Sequence, residues 1–218
     1  MAPGTKIIVD PGLYTKPLVI TKPGITLEAK DMDGNVQISL AAGPAITVNY
    51  TSGDPVILKG IKIIHTGVQP RLTKNAMYNN EIETVALRQH ERLHSLSKSL
   101  TSRNLGESGS ILTEASDTGK HVDQWVGAIK VREDMSCGIL VLNGNVYCDE
   151  VGVSMSSTKI GMPAVVSSGG HITLENCEIK GHGTIPTVGV FCLNSDLTML
   201  GCKIYRHRGG GIILRSTP

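Results

Sequence analysis

His90, Glu91 and His94 form the pattern H-E-x-x-H, and on a helix that spacing turns both imidazoles to one face. Two neutral imidazoles so placed can bind Zn2+, and the carboxylate between them can take a proton from a metal-bound water. Glu114, twenty residues beyond His94, supplies an oxygen donor for a third ligand position. Such a site would be hydrolytic, with Glu91 as base and His90, His94 and Glu114 holding the metal. The neighbouring charges favour a simpler reading. Arg88 and Arg92 flank His90, and two guanidiniums beside a would-be dication mark a solvated helix face. The expectation is therefore that the protein holds no metal and no other cofactor, with the zinc site kept as the alternative.

The sequence that must position this segment is of a different kind, because two short phrases recur along it. The first reads small, apolar, any, apolar: AITV (residues 45–48), AIKV (128–131), AVVS (164–167), GVFC (189–192) and GIIL (211–214). The second reads apolar, any, Gly or Asn, any, any, apolar: LKGIKI (58–63), VLNGNV (141–146), LENCEI (174–179) and MLGCKI (199–204). Between the last two complete units both phrases repeat together 25 residues apart, so they belong to one repeating unit. Apolar and polar residues alternate within it and Val, Ile and Thr dominate, which is the period of a strand. Strands this short bury an apolar face only by stacking coil on coil. The expected fold is all-β: a single-stranded right-handed parallel β-helix. Ile46, Leu58, Ile61, Ile63, Leu174, Cys177, Ile179, Met199, Cys202 and Ile204 should point inward. Gly60, Asn143, Asn176 and Gly201 should occupy the corners, since these types tolerate positive φ, and Asn143 and Asn176 could share an amide ladder.

One stretch breaks the repeat. Ala45 and Ala128 are 83 residues apart, where one coil needs about 25 to 35. The expected organisation is N-terminal coils over residues 1–67, an insertion over 68–124 and C-terminal coils of the same solenoid over 125–218. Within the insertion Ile82, Ala86, Leu93, Leu96 and Leu100 follow a helical stripe. Residues 101–120 are rich in Ser, Gly, Asn and Thr, which predicts a mobile tail. The insertion is thus helical, then disordered.

The opening IIVDPGLYTKPLVITKPGITLEAKD (residues 7–31) is similar to the first coil of pectin-lyase-like β-helix proteins, and ITLENCEIKGHG (172–183) resembles their internal coils. The resemblance implies the same fold. That superfamily includes secreted pectin-degrading enzymes and also intracellular eukaryotic scaffolds, such as the β-helix regions of F-box proteins and of SHC SH2-domain-binding proteins; the latter are nearer in character. Gly181-His182-Gly183 resembles the G-H-G of polygalacturonases, which makes His182 a catalytic candidate by that likeness. Those enzymes also need paired aspartates, and Met155-Ser156-Ser157 stands in their place. Their R-I-K is missing too. The H-E-x-x-H pattern with Glu114 is similar to that of thermolysin-like zincins.

Composition narrows the partners. A formal charge of +2 is too small for a main role on nucleic acid, which needs a concentrated basic surface; the local cluster Arg206-His207-Arg208 reads as a solvated corner. Seven aromatics against 25 glycines give little stacking surface for sugars. No stretch approaches the ~20 apolar residues that cross a bilayer, so no membrane partner is expected. Five cysteines without framework spacing, and no apolar leader at the N-terminus, point to a reducing, cytoplasmic setting. Neither end carries an obvious cap, as expected of a segment of a longer protein. The function expected from these features is a non-catalytic scaffold or adaptor for signalling, cytoskeletal or ciliary assembly. It would bind other proteins through a β-helix face, where Lys59, Lys62, Glu175, Glu178 and Lys203 stand, or through the 68–124 insertion. The alternative is a hydrolase, either carbohydrate-active or zinc-dependent.

Overall fold

Alternating apolar and β-branched residues favour extended backbone, whose successive side chains point to opposite faces, and among the described residues strands such as Thr26–Ala29, Val56–Lys59 and Asp196–Leu200 follow that pattern. The computed structural model describes residues 4–33, 35–66, 129, 131–156 and 162–217. The chain divides into two compact units, Met1–Arg71 with Val131–Pro218, and Leu72–Lys130. The H-E-x-x-H segment (His90, Glu91, His94), Glu114, the helical stripe and the polar tail lie outside the described residues.

The first coil turns through β1 (Lys6–Val9), β2 (Gly12–Tyr14) and β3 (Leu18–Ile20), and the second through β4 (Thr26–Ala29), β5 (Val36–Leu40) and β6 (Pro44–Asn49). The third holds β7 (Val56–Lys59), β8 (Lys62–His65) and the first half of β9 (Cys137–Asp149). The second half of β9 opens the fourth coil, followed by β10 (Gly152–Met155) and β11 (Pro163–Ser168). The fifth is β12 (Gly170–Glu175), β13 (Glu178–Lys180) and β14 (Val188–Leu193), and the sixth β15 (Asp196–Leu200), β16 (Lys203–Tyr205) and β17 (Gly210–Arg215). Each coil gives one strand to each of three parallel sheets. The first runs β1-β4-β7-β9-β12-β15, the second β2-β5-β8-β10-β13-β16, and the third β3-β6-β9-β11-β14-β17. No α-helix occurs among the described residues. The fold is a three-sheet parallel β-helix, right-handed as connections between parallel strands of one sheet are.

Parallel register stacks like on like. Leu27, Leu58, Cys148, Leu174 and Met199 form one inward column of the first sheet. Ile38, Ile63, Val153, Ile179 and Ile204 form another in the second. Ile46, Leu58, Ile61, Ile63, Leu174, Cys177 and Ile179 are all at most 2% exposed. Each such aliphatic contributes about 1.5–3 kcal/mol relative to an exposed position. Met199, Cys202 and Ile204, in the last coil, pack against this core from one side and are only half-buried.

The corner between the first and second sheets is one residue with left-handed backbone, then one buried apolar residue. It is filled by Gly60 (φ 66°), Glu150 (54°), Asn176 (51°) and Gly201 (64°). Glu150 holds the place expected for Asn143. The phrase at 141–146 instead straddles the bend within β9, where Asn143 and Gly144 (φ 91°) turn from the third sheet to the first. That corner also admits Asn and Gly, which is why the two resemble each other in sequence. Asn143 accordingly donates to Asn49 Oδ1 of the preceding coil at 3.2 Å, not to Asn176. The first phrase is displaced likewise: the residue in register with Ala45 and Ala164 is Gly138, not Ala128.

Cys137, Cys148, Cys177 and Cys192 are buried thiols, and Cys202 is half-buried. Burial raises all four, Cys177 to about 12 and Cys192 to about 11. In the unfolded chain these thiols ionise near 9, so above that pH the unfolded state binds fewer protons and stability falls. Their protonated burial is without penalty below about pH 8.5. We expect the denaturation midpoint to be flat up to there and to drop steadily towards pH 11. A native-state thiol titration should find one reactive group, Cys202, with the others appearing only in denaturant.

Candidate functional site

Side chains that alternate with the core residues stand on the outer faces. On the third sheet these are apolar: Leu140, Val166 and Phe191 lie between inward neighbours, yet each is fully buried. Solvent-facing chemistry in the middle coils therefore belongs to the first and second sheets.

On the first sheet, β9, β12 and β15 set three outward columns side by side: Asn145–His171–Asp196, Tyr147–Thr173–Thr198 and Asp149–Glu175–Leu200. Neighbours within a column are about 4.8 Å apart, set by the strand spacing. His171 Nε2 shares hydrogen bonds with the hydroxyls of Thr173 at 3.0 Å and Thr198 at 3.3 Å. The Tyr147 hydroxyl donates to Glu175 Oε2. This bond to the carboxylate, aided by burial and by Asp149, pushes the phenol up to about 12, so Tyr147 remains a donor at any physiological pH. Lys59 Nζ lies 3.3 Å from Asp149 Oδ2, extending the third column to a Lys–Asp–Glu run. The second sheet carries the column Lys62–Gly152–Glu178–Lys203. There the Tyr205 hydroxyl donates to Glu178 Oε1, and this bond raises its pKa. Lys59, Lys62, Glu175, Glu178 and Lys203 thus all face outward, as their alternation with core residues implies.

His182 sits on the corner between the second and third sheets. Its Nδ1 meets Thr184 Oγ1 at 2.7 Å, and its carbonyl accepts from Arg206 Nη2 at 3.5 Å. The glycines of Gly181-His182-Gly183 have a packing reason: a Cβ on Gly181 would lie 2.3 Å from the Arg206 carbonyl oxygen, and one on Gly183 2.7 Å from Arg206 Nε. Beside them His207 Nδ1 shares a hydrogen bond with Thr187 Oγ1 at 2.9 Å, and burial holds its pKa below the usual value against a backbone bond at Ile179. The side chains near His182 are therefore hydroxyl and cationic. Among the described residues no three His, Cys, Asp or Glu side chains converge as a metal site would require.

Sequence reasoning missed Tyr147, Asp149 and His171. A signal was available, because NVYCDE and HITLEN alternate identically and differ by one coil. The displaced match at 141–146 concealed it.

No protein-family model matches the chain, and no curated protein matches it either. Among solved structures it is similar to a pectin methylesterase from Erwinia chrysanthemi, at 16% identity and a TM-score of 0.41, over 90% of this chain and 46% of that one. It is also similar to a mutant pectin methylesterase in complex with a hexasaccharide, at 12% identity and a TM-score of 0.36, over 91% of this chain and 58% of the other. The chain spans about half the length of these two enzymes.

Proposed function

We propose that this chain is a non-catalytic β-helix scaffold or adaptor segment that binds other proteins, in character like the β-helix regions of F-box proteins and SHC SH2-domain-binding proteins. One observation carries the reading: the three carboxylates that stand on the open faces of the fourth and fifth coils near one another are engaged by their own neighbours. Asp149 is held by Lys59, Glu175 by Tyr147 and Glu178 by Tyr205. An acid–base pair for bond cleavage needs a carboxylate left free to exchange a proton with substrate. What these faces offer a partner instead is a rigid pattern of alternating charge, which favours specificity of docking. The setting proposed is cytoplasmic, with cytoskeletal or ciliary association, and residues 68–124 are a second candidate surface for the partner.

A second reading rests on Asp149 and Glu175, adjacent carboxylates on one open face beside Tyr147 and His171. Such a group could act on a polysaccharide, and methyl-esterified pectin is the substrate to try. The experiment that separates the readings has two arms. In the first, affinity capture with the whole chain is compared with a charge-reversed Lys62→Glu, Glu178→Lys, Lys203→Glu variant and with a chain lacking residues 68–124. A scaffold is expected to lose a specific partner in one variant while both remain folded. In the second arm, methanol release from methyl-esterified pectin is followed. Turnover that Glu175→Gln abolishes, with no partner lost in the first arm, would replace the scaffold reading by the enzymatic one.

A further inference from the structure

Charge is spread unevenly around the solenoid. On the outer columns of the first sheet each lysine is answered by an acid, Lys6 by Glu28 and Lys59 by Asp149. The second sheet is different. Its outer columns carry Lys62, Gly152, Glu178 and Lys203 in one row and Ser154, Lys180 and Tyr205 in the next, and Arg206 and Arg208 continue them onto the corner that leads to the third sheet. Lys62, Lys203, Arg206 and Arg208 are exposed, Lys180 is half-buried, and among the described residues none of them pairs with a carboxylate. Glu178, the one acid in the described strands of this sheet, is taken by the Tyr205 hydroxyl.

These are side positions, so a coil stacked on either end lengthens the columns and does not cover them. Lys62 is stacked between Gln37 and Gly152, and Lys180 between Ser154 and Tyr205, with no acid among these neighbours. Arg206 leans back on the fifth coil: a Cβ on Gly183 would lie 2.7 Å from its Nε, and its Nη2 reaches the His182 carbonyl at 3.5 Å. A guanidinium held in this way loses little freedom when it meets an anion. At the same corner of the third coil Glu133 and Asp134 stand with Arg132, which confines the corner's part of the patch to the fifth and sixth coils.

The cations are separated by whole coils, at about 4.8 Å each, and by steps along the strands of about 3.3 Å per residue, so they do not converge on one small anion. A row of them matches successive acids of an extended chain, whose like-facing side chains repeat every second residue. A nucleic acid fits less well, because the adjoining first sheet presents Asp149, Glu175 and Asp196 and repels a polyanion wide enough to overlap it. We infer that the second-sheet face and the corner at Arg206 and Arg208 bind an acidic polypeptide segment, a run of glutamates or aspartates in the scaffold's partner. The inference rests on the scaffold reading and names the chemistry the partner brings.

Fluorescence anisotropy of the whole chain with a labelled decaglutamate peptide tests this, beside decaglutamine and a single-stranded oligonucleotide of equal charge. The unaltered chain is expected to bind decaglutamate at low salt, more weakly as salt screens the contact, and to bind neither of the others as well. Lys203→Glu with Arg208→Glu, both at exposed positions, is expected to weaken peptide binding about tenfold. Lys6→Glu with Lys30→Glu makes the same change in net charge outside the patch and is expected to alter binding less than about twofold. Equal weakening by the two variants would reduce the effect to net charge and overturn the inference. So would an oligonucleotide bound more tightly than the peptide, or no peptide binding at low salt, and these two results need no variant. Such failures leave the scaffold reading standing, because affinity capture with the whole chain does not depend on the peptide's charge; the absence of any specific partner in that capture is what removes the scaffold reading itself.

Discussion

Replacing Ile179 by Asp is expected to leave the protein largely unfolded. Ile179 lies in β13, is 1% exposed, and is stacked between Val153 and Ile204 in the second sheet. A carboxylate there has no lysine or arginine within the core to pair with among the described residues, so it must be desolvated or protonated, and the cost exceeds about 4 kcal/mol. Ile179→Val, which only removes a methylene, should cost about 1 kcal/mol. Denaturant midpoints of the two variants check this. Equal midpoints would put residue 179 on the outside and break the column assignment.

Gly138→Val is the second large effect expected. Gly138 belongs to the column of small residues formed with Ala45, Ala164 and Gly189, which is what the small position of the first repeated phrase encodes. A Cβ on Gly138 would sit 2.5 Å from Val153 Cγ1 and 2.8 Å from the Ala164 carbonyl oxygen. The first clash is with a packed core side chain and the second with backbone, so neither yields cheaply. Overpacking of this kind costs about 3 kcal/mol. Ala45 and Ala164, one coil before and one after, already carry a Cβ in this column while fully buried. Gly138→Ala should accordingly be milder than Gly138→Val, and the ordering of the two in thermal unfolding is the check.

The fifth and sixth coils are legible in the sequence because nothing interrupts their 25-residue repeat, and the inward set from Leu174 to Ile204 follows from alternation alone. The fourth coil is not legible in the same way. Its corner residue is Glu150, and a glutamate does not announce a left-handed backbone as Asn176 and Gly201 do. Asn143 announces a corner truly, but of a different edge of the solenoid. This one displacement hid Asp149 and Tyr147, whose importance comes from register and not from local pattern. The cysteines divide similarly. The stacking of Cys177 and Cys202 is readable from their equivalent places in consecutive units, whereas the burial of Cys137 requires knowing that β9 begins there. His182 was singled out by a three-residue likeness whose glycines, in the folded chain, make room for Arg206.

The central claim is that adjacent coils stack in the stated parallel register, and a cross-linking experiment on an outer face tests it most directly. Glu178 and Lys203 are register partners on the second sheet, and parallel neighbours about 4.8 Å apart fall within the Cα separation a disulfide tolerates. In a Cys202→Ala background, Glu178→Cys with Lys203→Cys is expected to form an internal disulfide on mild oxidation, seen as a mass loss of two hydrogen atoms with no change in fold. Glu178→Cys with Tyr205→Cys, displaced by two residues along the same face, is expected to remain reduced under the same conditions. Closure of the displaced pair, with the register pair left open, would contradict the stacking on which the whole structure rests.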